Sequence, residues 1–565
     1  MKIDRKMSLM DVAVTDHVQG SDQASFGANI DDHRRTPNYK PTPWTYEFIQ
    51  SLVNNYGEEA YLRRVSVLKR DVIQLLSEVT QHFDKLQLID TLEHLGLENV
   101  FEKEIKEALD NMMLEEYSSA EDNLHSRALY FKLQRKHGYK VSPADVFKEY
   151  EKQIDGNMDA RGLLSLYEAS QLGFLDETIM DEIKEVAARR LREILHGNTV
   201  DPVIVEQVEH SLQLPLHRRL PLMEARWYLD MYEKEENKSS LLLELGRLTF
   251  NIGQASYQRD VKLVSRWWKK LNVGVMLRFT RERCMESLMC SAGMIPEPGL
   301  AFSRRQLTKI LKLITVIDDV YDVYGKLEEL EVFTEAVQRW DASAMDQFPD
   351  FMKICFGTLL DTCNEIEDYV YTHQGKKIVP FLAKAWGDIA KSFLKEARWF
   401  YSGYKPSFEE YMENATISSS AALILIHAYV LLDLKINDEE LESLQSHPDI
   451  LRGPATIFRL CNDLATSEAE AKRGDAPGCV ACCIRDTGTS EVEARAFIES
   501  LIDKAWKTMT EEILARSTFP KPFNKIVLNL CRAVQALYQD GDGYGSPGRR
   551  IKNLVTSILV EQIPI

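Results

Sequence analysis

Apolar residues recur at three- and four-residue spacing along most of the chain, as in Val72-Ile73-Leu75-Leu76-Val79 and Leu86-Leu88-Ile89-Leu92-Leu95. That is the period of helices with one buried stripe. The pattern runs from Tyr46 to about Leu220 and resumes from Met223. It then continues through Gln306–Gly325, Glu328–Trp340, Phe351–His373, Ile378–Trp399, Phe408–Leu432, Asp449–Glu470, Val492–Leu514 and Pro522–Tyr538. No alternating β-rich segment interrupts it, and no fixed-period repeat makes it a solenoid. At 565 residues the chain exceeds one ordinary core. The fold class expected is therefore all-α, in two helical domains. Prolines clustered between Leu214-Pro215-Leu216 and Leu220-Pro221-Leu222 mark the expected junction. This divides the chain into a leader and strap over 1–44, an N-terminal helical domain over 45–222 and a C-terminal domain over 223–565.

Composition excludes several function classes. With 69 basic and 87 acidic residues the net charge is -18, so nucleic acid is not an expected partner. An anionic substrate would then need a local cluster of cations. Nine cysteines, an odd count, point to free thiols in a reducing compartment. The group Cys479, Cys482 and Cys483 has neither a second pair nor a nearby His to make a zinc site. No stretch approaches 18 uninterrupted apolar residues, so no membrane-spanning helix is expected. Met1 to Ile30 carry Asp4, Asp11, Asp16 and Asp22 and little arginine, unlike an intact organelle transit peptide. The expected location is the plastid if a targeting segment is missing from this chain, and the cytoplasm otherwise.

Chemistry concentrates in three places. The apolar run Leu311–Ile317 leads into Asp318-Asp319-Val320-Tyr321-Asp322, where Asp318 and Asp322 share a helix face and Asp319 lies beside them. Such clustered carboxylates are commonly a solvated face, but hard oxygen ligands on one face also suit magnesium. About 140 residues later Asn462, Thr466 and Glu470 fall at i, i+4 and i+8, a second stripe of oxygen ligands, with Arg459 one turn earlier. Upstream, Arg278-Phe279-Thr280-Arg281-Glu282-Arg283 supplies guanidinium groups suited to bidentate phosphate binding. Together they describe a diphosphate held by metal ions on one side and arginines on the other.

At these residues the sequence resembles a plant class I terpene synthase of the monoterpene cyclase type, from about Arg34 to Ile565. Asp318, Asp319 and Asp322 match the family's aspartate-rich motif, and Asn462, Thr466 and Glu470 its second metal motif. Arg281 and Arg283 match its Arg-x-Arg element, and Arg34-Arg35 with Trp44 its tandem-arginine strap. The resemblance implies a relic N-terminal α-barrel and a C-terminal class I terpenoid synthase α-bundle. That bundle would bind three Mg2+ ions, or Mn2+ in substitution, and a prenyl diphosphate, in a protein that is a monomer by family default.

Asp318, Asp319, Asp322, Asn462, Thr466 and Glu470 would be the metal ligands, and Arg281, Arg283, Arg459, Arg34 and Arg35 the catalytic arginines. Asp318, Asp322, Arg281, Arg459, Asn462, Trp268 and Tyr538 would contact substrate. Trp268, Trp399, Tyr404 and Tyr538 are the candidate aromatic faces for a carbocation. Tandem arginines suggest geranyl diphosphate, with a farnesyl-using sesquiterpene synthase as the alternative. No Asp-x-Asp-Asp acid motif occurs in the N-terminal half, so proton-initiated cyclisation is not expected. Glu286-Ser287-Leu288-Met289-Cys290, where many relatives have a Trp, and Ser420-Ala421-Ala422 depart from the family pattern, and Gly478 stands where a lysine is frequent.

Overall fold

The computed structural model describes residues 34–35, 39–114, 123–147, 159–196, 201–474 and 476–565, and most of the leader lies outside them. Among the described residues there are helices and no strand. Local chemistry sets many helix starts. Asp159 accepts from the Gly162 amide at 2.7 Å to begin Ala160–Ser170. Ser490 and Glu493 form a reciprocal capping box that begins Glu491–Glu511.

The helices close around separate cores. One gathers Val65, Leu68, Val72, Leu86, Ile89, Phe101 and Leu109 from the first helices with Tyr228, Leu229, Leu245 and Leu248. The largest gathers the C-terminal helices around Tyr321, Phe333, Phe356, Trp386 and Phe393. The 31-residue helix Ser240–Lys270 joins them, with Leu242–Phe250 in the first core and Trp268 in the second. The junction expected at Leu220–Leu222 is not a gap between cores. The next helix, Pro221–Lys234, buries Tyr228, Leu229 and Tyr232 in the N-terminal core, because proline at the first helical position starts a helix without separating domains. The C-terminal tail returns to the same long helix, where Asn251 accepts from the Ile563 amide and donates to its carbonyl.

One stretch, Phe408–Leu431, is long and apolar enough to cross a membrane by length and composition, but 89% of its window is buried inside the protein. It is also broken at Ser420, whose φ of 68° is left-handed.

Candidate diphosphate and metal site

The helix Ala301–Asp319 buries Leu313, Val316 and Ile317 in the C-terminal core and passes into a π-turn, Val320–Tyr324. π-turns occur mostly as single insertions at functional sites. Gly325 closes the turn by donating to the Val320 carbonyl at 2.7 Å. A Cβ on Gly325 would lie 2.5 Å from Leu330 and 2.9 Å from that carbonyl, so glycine is required. Buried Tyr321 pins the turn through a 2.7 Å bond between its hydroxyl and Thr334.

The three aspartates have different surroundings. Asp322 is exposed, Asp318 half-buried and Asp319 fully buried. Asp319 accepts from the Arg281 amide at 2.9 Å, and the Arg281 guanidinium lies 2.8 Å from its other oxygen. That second contact is an ion pair without hydrogen-bond alignment. Burial pushes the Asp319 carboxyl up to about 6 against the pull of Arg281, with the Asp318 charge adding to the rise. The expected metal ligand Asp319 is thus the one of the three that is fully buried, with both oxygens facing Arg281.

Arg281 also binds Asp318 at 2.5 Å, and its guanidinium lies 5.2 Å from the Tyr39 ring of the strap. Arg283, two residues on, is not available as expected. It is 1% exposed and its donors go to the carbonyls of Lys40, Glu282, Tyr544 and Gly545. Its expected role in clamping a leaving group is therefore corrected. Arg34 makes two 2.7 Å bonds to Glu329 and one of 3.0 Å to the Tyr324 carbonyl, and Arg35 donates to the Asp322 carbonyl at 3.1 Å. Their rings of contact are Tyr324 and Phe351 for Arg34 and Phe400 for Arg35. Both brace the backbone of the aspartate turn.

The second stripe lies on the helix Asp449–Arg473. The Thr466 hydroxyl donates to the Asn462 carbonyl at 3.0 Å, the usual back-bond of a helical threonine. Arg459 reaches the Ala415 carbonyl, Ser418 Oγ at 2.9 Å, and Asn462 and Asp463 at 3.4 Å each. Buried Asp463 secures this helix from behind, accepting from the Tyr411 hydroxyl and the Cys479 amide at 2.7 and 2.8 Å. A Cβ on Gly478 would lie 3.2 Å from Asp463 and 3.5 Å from Glu470. Lys472 pairs with Glu468 at 2.6 Å on the surface.

One residue escaped the sequence reading. Glu396, on the helix Val379–Ser402, is held by Asn414 at 3.0 Å and Ser418 at 2.5 Å. Burial raises its carboxyl, Arg459 opposes the rise and the Asp318 charge adds to it. Its signal was a lone acid in Phe393-Leu394-Lys395-Glu396-Ala397. Arg459 in turn feels Asp463, Glu396 and Asp318 together.

The aromatic candidates divide. Trp268 is buried beneath Lys312, whose ammonium sits 4.0 Å from its ring and bonds Glu282. Tyr404 is 49% exposed, because Gly403 at φ 69° ends the helix and turns the chain outward. Trp399 is buried, with Lys395 5.0 Å over its ring. Burial raises the Tyr538 phenol, which feels both Asp542 and Arg281. Elsewhere Glu93, Glu98 and His137 come within 4.8 Å of one another, but the Lys136 ammonium already bonds both glutamates at 2.8 and 2.9 Å.

Comparison with known proteins identifies the family. Residues 43–212 match the family described as terpene synthase, N-terminal domain, and residues 269–508 match terpene synthase family, metal binding domain. The chain belongs to the terpene synthase family of lyases, and its two-domain all-helical fold is that family's. It is 44% identical over 541 residues to (-)-alpha-terpineol synthase of Vitis vinifera, covering 94% of this chain and 91% of that one. It is 42% identical over 534 residues to a chloroplastic alpha-thujene synthase of Litsea cubeba, covering 94% and 91%. A solved limonene synthase with 2-fluorolinalyl diphosphate superposes with TM-score 0.90 at 36% identity, covering 94% and 100%. Isoprene synthase from grey poplar leaves (Populus x canescens), solved with three Mg2+ ions and dimethylallyl-S-thiolodiphosphate, gives 0.84 at 38%, covering 93% and 99%.

Proposed function

We propose that this chain is a monoterpene synthase that ionises geranyl diphosphate, isomerises and cyclises it, and releases diphosphate. The observation that carries the reading is the pair of oxygen-lined walls. Asp318 and Asp322 belong to one wall, where Arg281 bonds Asp318, and Asn462, Thr466 and Glu470 belong to the other, on the helix that also carries Arg459. Ser418 joins Arg459 to Glu396.

The donors are uniformly hard oxygens, a set that fits magnesium, with manganese as a substitute. Asp318 and Asp322 would hold metal on one wall, and Asn462, Thr466 and Glu470 on the other, with Glu396 held beside Arg459 through Ser418. When bound, the ions supply Lewis-acid stabilisation of the departing diphosphate. Arg281 and Arg459 aim charged donors at the same oxygens, where charge develops as the carbon–oxygen bond breaks. Asp319 fixes the Arg281 backbone and side chain, and Asp463 fixes Arg459. Tyr538 and Trp399 contribute aromatic faces, which attract a cation while offering no strong nucleophile.

Geranyl diphosphate is favoured over farnesyl diphosphate by the tandem-arginine strap and by relatives named for terpineol and thujene synthesis. A limonene synthase solved with a fluorinated linalyl diphosphate supports isomerisation before ring closure. Relatives named chloroplastic support a plastid location, and a monomer is the proposed state. The test is incubation with magnesium and each diphosphate, followed by analysis of volatiles. Monoterpene from geranyl diphosphate is expected; product from farnesyl diphosphate alone would overturn the substrate.

A further inference from the structure

The first turn of the helix Cys284–Met294 is gripped by two segments far apart in sequence. From the strap, the Lys40 carbonyl faces Arg283, and the Trp44 indole donates to Glu286 at 3.3 Å. From the loop 541–548, the Tyr544 and Gly545 carbonyls accept from Arg283 at 2.8 Å each. The Tyr544 hydroxyl bonds Ser287 at 2.8 Å and Thr315 at 3.0 Å, the latter one turn before the aspartates. The loop is shaped internally: Asp542 accepts from the amides of Tyr544 and Gly545 at 3.3 and 2.7 Å. A Cβ on Gly543 would lie 2.0 Å from the Leu537 carbonyl.

A guanidinium offers five N–H donors in a rigid fork. In Arg283, Nε serves Tyr544, Nη1 serves Glu282 at 2.8 Å and Lys40 at 3.5 Å, and Nη2 serves Gly545 at 2.8 Å and Lys40 at 3.4 Å. All five are directed at carbonyls, and none remains for a phosphate oxygen. The same group thus holds the strap and the C-terminal loop on one buried turn.

We propose that Arg283 is a positioning residue that couples the strap to the C-terminal loop, so that these two covers seat together. The proposal rests on the terpene synthase reading for what the covers enclose. Its chemical consequence is exclusion of water, since a carbocation is captured by any water that reaches it.

The test is hydrogen–deuterium exchange on the full chain. In Arg283→Met, amide exchange should rise about tenfold in both 39–45 and 541–548 while the helix Ala301–Asp319 is unchanged. Affinity for inorganic diphosphate with magnesium should stay within about threefold of wild type, and the share of water-quenched product should rise. Arg283→Lys, a point charge that cannot span three segments, should show the same changes at smaller size. It carries the test if the methionine variant fails to fold. Loosening of one segment alone would overturn the coupling. So would a loss of diphosphate affinity of about tenfold or more with both segments still protected. Exchange and diphosphate binding need no turnover, so a wild-type chain that forms no monoterpene would sink the proposed activity and leave the coupling testable.

Discussion

The N-terminal half and the site in the C-terminal half both bury charge, in opposite arrangements. In the N-terminal half, Arg219 binds Glu168 and Glu224 at 3.1 and 2.6 Å, Lys132 binds Asp90 at 2.5 Å, and Lys136 joins Glu93 and Glu98. Burial alone would raise the carboxyls of Asp90, Glu93 and Glu224, but these cations outweigh it and hold them below the ordinary range. At the site, Asp318, Asp319, Asp322 and Glu396 face Arg281 and Arg459, and burial holds Asp319 and Glu396 above that range. A balanced cluster contributes to folding, whereas an unbalanced one costs stability and is suited to taking up cations.

The largest expected effect breaks the acidic wall. Asp318→Asn should lower the rate of diphosphate release about a thousandfold, some 4 kcal/mol of transition-state stabilisation. Its melting temperature should be unchanged or higher, because a repelled charge has been removed. Glu396→Gln keeps an acceptor for Asn414 and Ser418 and should behave alike, with a smaller loss of rate. The N-terminal cluster should respond in the opposite sense. Arg219→Met leaves Glu168 and Glu224 buried without their cation and should cost about 3–5 kcal/mol in urea unfolding.

Acid should reach buried imidazoles in both halves before it reaches the paired carboxylates. His427 accepts from Trp386 at 3.2 Å and bonds the Leu423 carbonyl at 2.8 Å, and burial pushes its imidazole down to about 4. Its unfolded value is near 6.5, so its share of stability is full above that pH and is lost as pH falls toward 4. Burial lowers His217 in the same direction. The unfolding free energy from urea titrations should therefore fall by about 1–2 kcal/mol between pH 7 and pH 5, with a shallower fall in His427→Gln. The N-terminal carboxylates, held low by their cations, should give way only in stronger acid. The smallest effect is at the helix break. Ser420 holds a left-handed φ of 68°, so Ser420→Gly should stabilise by up to about 1 kcal/mol, read from thermal melts.

Periodicity made part of this legible. The i, i+4 spacing brought out Asp318 with Asp322, and Asn462 with Thr466 and Glu470, because a helix face depends only on local geometry. The burial of Asp319 against Arg281 rests on a contact between residues 38 apart, which local spacing does not show. Arg281 and Arg283 look equivalent in sequence, and their different fates depend on Asp319, Lys40 and Tyr544, which only the tertiary fold brings near. Glu396 was hidden because a single acid on a helix has no partner in sequence. The proline pair near Leu220 was read as a domain boundary, but proline at a helix start marks only the helix. Tyr404 was read as a pocket face, but a glycine turn carries it to solvent.

The most direct test of the two-walled site is calorimetric titration of the full chain with inorganic diphosphate, in magnesium and in chelator. Binding in magnesium, none in chelator, and loss in both Asp318→Asn and Glu470→Gln are the results predicted. Equal binding in chelator, or binding indifferent to both substitutions, would contradict it.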